Sequence, residues 1–199
     1  MAQNLEQPLR ACCGSARHAQ AAQPMSTRPP PIDGRFDLVD HFGQPVSECS
    51  FGSRYLLVFF GFSHCAVVCP RELAKLGAAM ERLGPLAERI QPLYITVDPQ
   101  RDDPGTMQAY VARYPGGFIG LTGTVEQIGA AKKSFRVFAE PVQDANAPGG
   151  YVVPHTAFAY LIAPGGRYAT HLPDSLGVDA VVDRLRAHLG RPDAAHPSI

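Results

Sequence analysis

The most constraining stretch of the chain is Tyr55-Leu56-Leu57-Val58-Phe59-Phe60, apolar at every position. Side chains of a strand alternate between its two faces, so such a strand must be covered on both sides, as the central strand of a parallel sheet is. A second run, Leu93-Tyr94-Ile95-Thr96-Val97, has the same character and ends at Asp98-Pro99. Between them a helix is expected to start at Pro70, where the missing N–H costs nothing, and Leu73, Leu76, Met80 and Leu83 form one helical face.

The rest of the chain continues the alternation. Phe36 to Val39 reads as a strand leading into a turn, with a short return strand from Val46. Asp102-Asp103-Pro104 starts a helix running to about Tyr114, with acids at the positive end of its dipole. Phe118 to Leu121 is a short strand, and Thr124-x-x-Gln127 is a capping box for the next helix. Phe135 to Ala139 reads as a strand, and Asp144 to Gly150 as a loop. Ala157 to Ala163 pairs with Arg167 to Leu172 through Pro164-Gly165-Gly166 as a hairpin. A last helix carries Val178, Val181, Val182, Leu185 and Leu189 on one stripe, with Asp174 or Ser175 as its cap. The order describes an α/β fold, a thioredoxin-like sandwich with a central mixed β-sheet flanked by helices. Periodicity alone leaves a flavodoxin-like fold open.

Composition excludes several classes. Of 199 residues 45% are hydrophobic and 18% charged, enough apolar surface for one substantial core. Lys+Arg and Asp+Glu number 18 each, so the basic surplus of a nucleic-acid binder is lacking. Five cysteines are too few for a disulfide scaffold, and 19 Gly with 19 Pro disfavour a helical bundle. No apolar run approaches the roughly 20 residues of a spanning helix. Residues 1–25 hold no apolar segment of signal-peptide type. Residues 1–31, ending in Pro29-Pro30-Pro31, read as a flexible leader, 32–190 as the folded domain and 191–199 as a loose tail.

The chemistry is concentrated in Ser63-His64-Cys65-Ala66-Val67-Val68-Cys69-Pro70. Two cysteines lie where a buried strand ends and a helix begins, so the unpaired N–H groups of the helix favour thiolate. His64 adds a nearby imidazole. Thiolates attack disulfides and also bind soft metals. The C-x₃-C spacing allows a Cys65–Cys69 disulfide and also allows the sulfurs to hold a metal between them. Two thiolates are incomplete for zinc, whereas with one imidazole they suit copper, Cu(I) above all. His155, in Val153-Pro154-His155-Thr156, is the candidate third donor, because the loop before the hairpin of a thioredoxin-like sheet lies beside the first Cys loop. Asp98 is either an outer acceptor near the site or a turn residue before Pro99. His171, in the second strand of the hairpin, reads as an ordinary surface or semi-buried residue, and His18, His41, His188 and His196 show no ligand spacing. Cys12-Cys13 sits in the leader, and Cys49, Tyr94, Tyr110 and Tyr160 read as packing residues. A peroxiredoxin pattern would need Pro and Thr where Val58 and Phe62 stand, so peroxidase chemistry is rejected.

Four blocks resemble the Sco/SenC family of copper-binding thioredoxin-like proteins that serve cytochrome c oxidase assembly. They are Phe59-Phe60-Gly61-Phe62-Ser63-His64-Cys65 with Cys69-Pro70, Ile95-Thr96-Val97-Asp98-Pro99 with Arg101-Asp102, Phe118-Ile119-Gly120-Leu121-Thr122-Gly123, and His155-Thr156-Ala157. The resemblance extends from about Phe36 to Leu189. It implies copper ligation by Cys65, Cys69 and His155, and use of Cys65 and Cys69 as a redox pair in thiol–disulfide exchange. As partner it implies a cytochrome c oxidase copper-site subunit or another copper or thiol protein. It also implies an extracytoplasmic place, periplasmic or membrane-associated, although no signal peptide or anchor is readable. Two acids of the family pattern are missing: Ala66-Val67-Val68 replaces Pro-Asp-Val between the cysteines, and Pro154 replaces the Asp before the histidine. Fewer carboxylates favour Cu(I) or thiol chemistry over a divalent cation.

Overall fold

The computed structural model describes residues 32–190; the expected leader, its cysteines and the tail lie outside them. Its centre is β3 (Tyr55–Gly61), seven residues all buried. Tyr55, Leu57 and Phe59 enter one core, whereas Leu56, Val58 and Phe60 enter the other. The first core is closed by α1 (Val68–Leu83), α2 (Pro104–Val111) and α4 (Val178–Leu189). The second is closed by α3 (Val125–Phe135), through Ile128, Ala131 and Phe135. Two-sided burial is thus what the uninterrupted apolar run demands.

The remaining strands are β1 (Asp37–Asp40), β2 (Pro45–Ser47), β4 (Ile90–Thr96), β5 (Ile119–Thr122), β6 (Val142–Gln143), β7 (Tyr151–Val152), β8 (Phe158–Ala163) and β9 (Arg167–Pro173). Six of them join β3 in one mixed seven-stranded sheet, in the order β2-β1-β5-β4-β3-β8-β9. β3 runs parallel to β4, with Gly61 opposite Thr96, and antiparallel to β8, with Phe59 opposite Ala159. These pairings position the site. The Cys loop leaves the C-terminal end of β3, and β8, running the other way, starts at that same end. His155, three residues before β8, therefore arrives beside the Cys loop. The C-terminal edge of parallel strands is where open α/β sheets bind ligands.

Several local expectations are corrected. α1 starts at Val68, two residues before Pro70, which puts Cys69 inside the first turn; Pro70 is still among the positions whose N–H needs no helical partner. α2 ends at Val111, short of Tyr114. Phe135 to Ala139 is not a strand: Phe135 closes α3 with its side chain fully buried, Arg136 turns the chain at φ 57°, and Ala139 makes only an isolated bridge to His155. The loop at Asp144 to Gly150 joins the small hairpin β6–β7. α4 is capped by neither Asp174 nor Ser175; Gly177 takes the cap position, and Asp174 instead accepts from Arg71 at 3.4 Å while its carbonyl accepts from Lys75. The capping box of Thr124 and Gln127 forms as read. No described helix is long and apolar enough to cross a membrane.

Candidate metal and thiol site

The Cys loop is fastened from below by a residue that sequence reading assigned only to a helix start. Asp102 is completely buried. One of its carboxylate oxygens accepts from Ser63 Oγ at 2.5 Å; the other accepts from Ser63 N at 3.0 Å and Thr96 Oγ1 at 2.6 Å. Its neighbour Asp103 is the true helix cap, accepting from Thr106 N at 2.7 Å. The Ser63 proton goes to the carboxylate, so Ser63 Oγ can only accept from His64 Nδ1, 2.9 Å away. His64 is exposed and held by that bond.

Cys65 is half-buried and Cys69 fully buried, and both are free thiols. Val67, at the helix cap position, offers no side-chain acceptor, and no acid stands in the first turn. Cys65 Sγ fills that role, accepting from Cys69 N at 3.4 Å. The two thiols share one proton. The hydrogen bond from the Cys69 thiol, helped by the amides of Cys69, Val67 and Val68 and opposed by burial, lowers the Cys65 pKa from 9.0 to about 5. The same bond and burial push the Cys69 pKa far up. The pair thus contains one ready thiolate and one retained thiol.

His155 faces the pair. Its Nε2 stands 3.9 Å from Cys69 Sγ, and its Nδ1 stands 2.9 Å from the carbonyl of Val153. A carbonyl only accepts, so Nδ1 carries the hydrogen and Nε2 turns its lone pair toward the sulfur, the tautomer a metal ligand requires. With metal–ligand bonds of ~2.0–2.3 Å, two donors on one ion stand roughly 3.5–4 Å apart, so this separation and this soft donor set fit a copper ion. Among the described residues no three Cys, His, Asp or Glu side chains are already gathered at full ligand spacing. The Cys65 sulfur is still engaged with the helix amide.

Asp98 does not touch the sulfurs. It is buried, accepts from Tyr151 Oη at 2.9 Å and from Arg101 Nε at 2.5 Å, and so ties β7 to the end of β4. Arg101 lies over the Tyr151 ring at 3.7 Å and 5.8 Å from the Phe62 ring, which in turn meets the His155 ring edge-on at 5.9 Å. Asp98 therefore supports the wall behind the imidazole. His41 is a structural residue, its Nδ1 accepting from Gly120 N at 3.0 Å, and His171 pairs with Tyr168. Cys49 lies in the 3-10 turn Glu48–Phe51, outside the site. Sequence reading missed Asp102 and the placement of Tyr94; the run of two acids before Pro104 was the available signal for the first.

A sequence pattern described as SCO1/SenC matches residues 24–190. The mouse protein "SCO2 homolog, mitochondrial" is 36% identical over 160 residues, covering 78% of this chain; the chain spans only 62% of that protein's length. Among solved structures, Arabidopsis thaliana ScoI with copper bound superposes with a TM-score of 0.75 at 30% identity, over 80% of this chain and 98% of that one. Yeast Sco1 with copper bound gives 0.73 at 32% identity, over 83% and 92%.

Proposed function

We propose, for a chain that belongs to the SCO1/SenC family, that Cys65, Cys69 and His155 hold one copper ion as cargo for cytochrome c oxidase assembly. The observation that carries this is the His155 imidazole, its proton committed to Val153 and its lone pair aimed at Cys69 Sγ. Cys65 contributes the thiolate, Cys69 the second sulfur once its proton leaves, and Phe62 and Arg101 the wall that orients the ring. Copper in the Arabidopsis and yeast relatives supports the reading. The receiving partner is a copper-site subunit of the oxidase or another copper or thiol protein. The mitochondrial address of the mouse relative supports a place outside the cytoplasm, in a periplasm or at a membrane.

The half-buried, low-pKa Cys65 favours a second use of the same pair. Its thiolate attacks a substrate disulfide and expels one substrate sulfur as thiolate. Cys69 then loses its proton and displaces the mixed disulfide, leaving the Cys65–Cys69 bond and a substrate reduced by two electrons. The two uses exclude each other in time, because a disulfide has no thiolate to offer copper. Anaerobic Cu(I) titration against a competing chelator tests this: the reduced protein is expected to keep one equivalent and the disulfide form none. A reduced protein that gives up its copper, or an oxidised one that keeps it equally well, contradicts the proposal.

A further inference from the structure

Cys69 has its back to two tyrosine rings. Tyr94, on β4, is completely buried, and its Oη makes no close hydrogen bond to any oxygen or nitrogen among the described residues; the acceptor it interacts with is the Cys69 sulfur. The Tyr94 and Tyr110 rings stack at 5.4 Å with 18° between their planes. A Cβ added at Gly61 would collide with Tyr94 Oη and lie 2.7 Å from Cys69 Sγ, so hydroxyl and sulfur border one small gap that only a glycine leaves open. Packing does not explain the hydroxyl: phenylalanine would fill the same core without burying a donor, and a buried O–H that lacks a good acceptor is costly. An acceptor that becomes charged in another state of the molecule does explain it. Cys69 Sγ is that acceptor, since it borders the same gap as the hydroxyl and a metal-bound cysteine is a thiolate.

We propose that Tyr94 is a positioning residue of the thiol pair, its hydroxyl donating a hydrogen bond to the Cys69 sulfur in the reduced form, as free thiol and, more strongly, as metal-bound thiolate. A disulfide sulfur is neutral and a poor acceptor, so the bond favours the reduced, metal-holding form over the oxidised one. For copper this rests on the function proposed above; for the redox balance it does not.

The test is Tyr94→Phe, which removes the hydroxyl and keeps the ring. In metal-free protein equilibrated with glutathione near neutral pH, Cys65 and Cys69 surrender two electrons and the one proton the pair holds as their S–S bond forms, and one oxidised glutathione, taking a second proton from solvent, becomes two reduced ones. The variant's equilibrium is expected to move three- to tenfold toward the disulfide, a fall in midpoint potential of about 15–30 mV. Cu(I) retention against a chelator is expected to weaken about tenfold, as for a lost hydrogen bond to a charged group. In the parent protein, reduction of the disulfide is expected to give a near-ultraviolet tyrosine difference spectrum, a measurement that needs no variant to fold. An unchanged potential, or a parent without that spectrum, overturns the inference. If the parent fails to hold copper while the potential of Tyr94→Phe still falls, the copper reading fails and the role of Tyr94 stands.

Discussion

In the reduced protein, Cys69→Ser is expected to weaken Cu(I) retention by more than about 100-fold, since residues that merely support a ligand already contribute 10–100-fold. The buried sulfur is the donor that faces both Cys65 and His155, and a serine hydroxyl is too hard a ligand to replace it. His155→Ala is expected to cost less, on the order of 10–100-fold, because two thiolates remain and Cu(I) prefers sulfur. Far-ultraviolet circular dichroism and thermal melts check that both variants keep the fold; Cys69→Ala, which buries no new hydroxyl, is the control for the first. Copper retention in Cys69→Ser equal to that of the parent would exclude the sulfur as a ligand.

Alkylation of the metal-free dithiol is expected to modify Cys65 alone, with a rate that rises through a midpoint near pH 5 instead of near 9.0. The cause is local: the Cys69 thiol and three amides at the start of α1 donate to the Cys65 sulfur. Stability follows the protons. An unfolded chain keeps both thiol protons up to about pH 9, whereas the folded pair has released one by pH 5. Between those values the unfolded state binds one proton more, so the stability of the reduced protein rises with pH across that window. It is lost again as pH falls through 5. Above 9 the sign reverses, because folded Cys69 retains the proton that the unfolded chain gives up. Cys65→Ser removes the rise. An alkylation midpoint near 9 would contradict the proton-sharing pair.

The parts of the molecule legible in its sequence are those set by burial and spacing. The run from Tyr55 to Phe60 demands cover on both faces and receives it, and the Thr124–Gln127 box closes where it is written. The approach of His155 to the cysteines followed from topology, since an antiparallel β8 has to start where β3 ends. Local pattern was a poorer guide at element ends. Phe135 to Ala139 has strand composition, but Phe135 completes the buried face of α3 and the chain behind it makes a single bridge. Asp174 is a good cap by type, yet Arg71 and Lys75 on α1 claim it.

The support of the site was least legible, because it depends on distant partners. Asp102 holds Ser63 from 39 positions away, and nothing in the spacing separates that role from helix capping by its neighbour Asp103. Tyr94 sits in a strand where any large apolar residue satisfies the pattern; only the hydroxyl beside Gly61 and Cys69 marks it. The missing acids at Ala66-Val67-Val68 and Pro154 were visible at once, and in the fold the apolar Val67 at the cap position leaves Cys65 to cap α1 with its own sulfur.

Copper binding of the kind proposed requires that two sulfurs and one imidazole nitrogen close on one ion. X-ray absorption at the copper edge of the reduced, loaded protein measures this directly. The expected shell has two sulfurs and one nitrogen, with the nitrogen lost in His155→Ala. A shell of nitrogen and oxygen alone, or one that His155→Ala leaves unchanged, would contradict it.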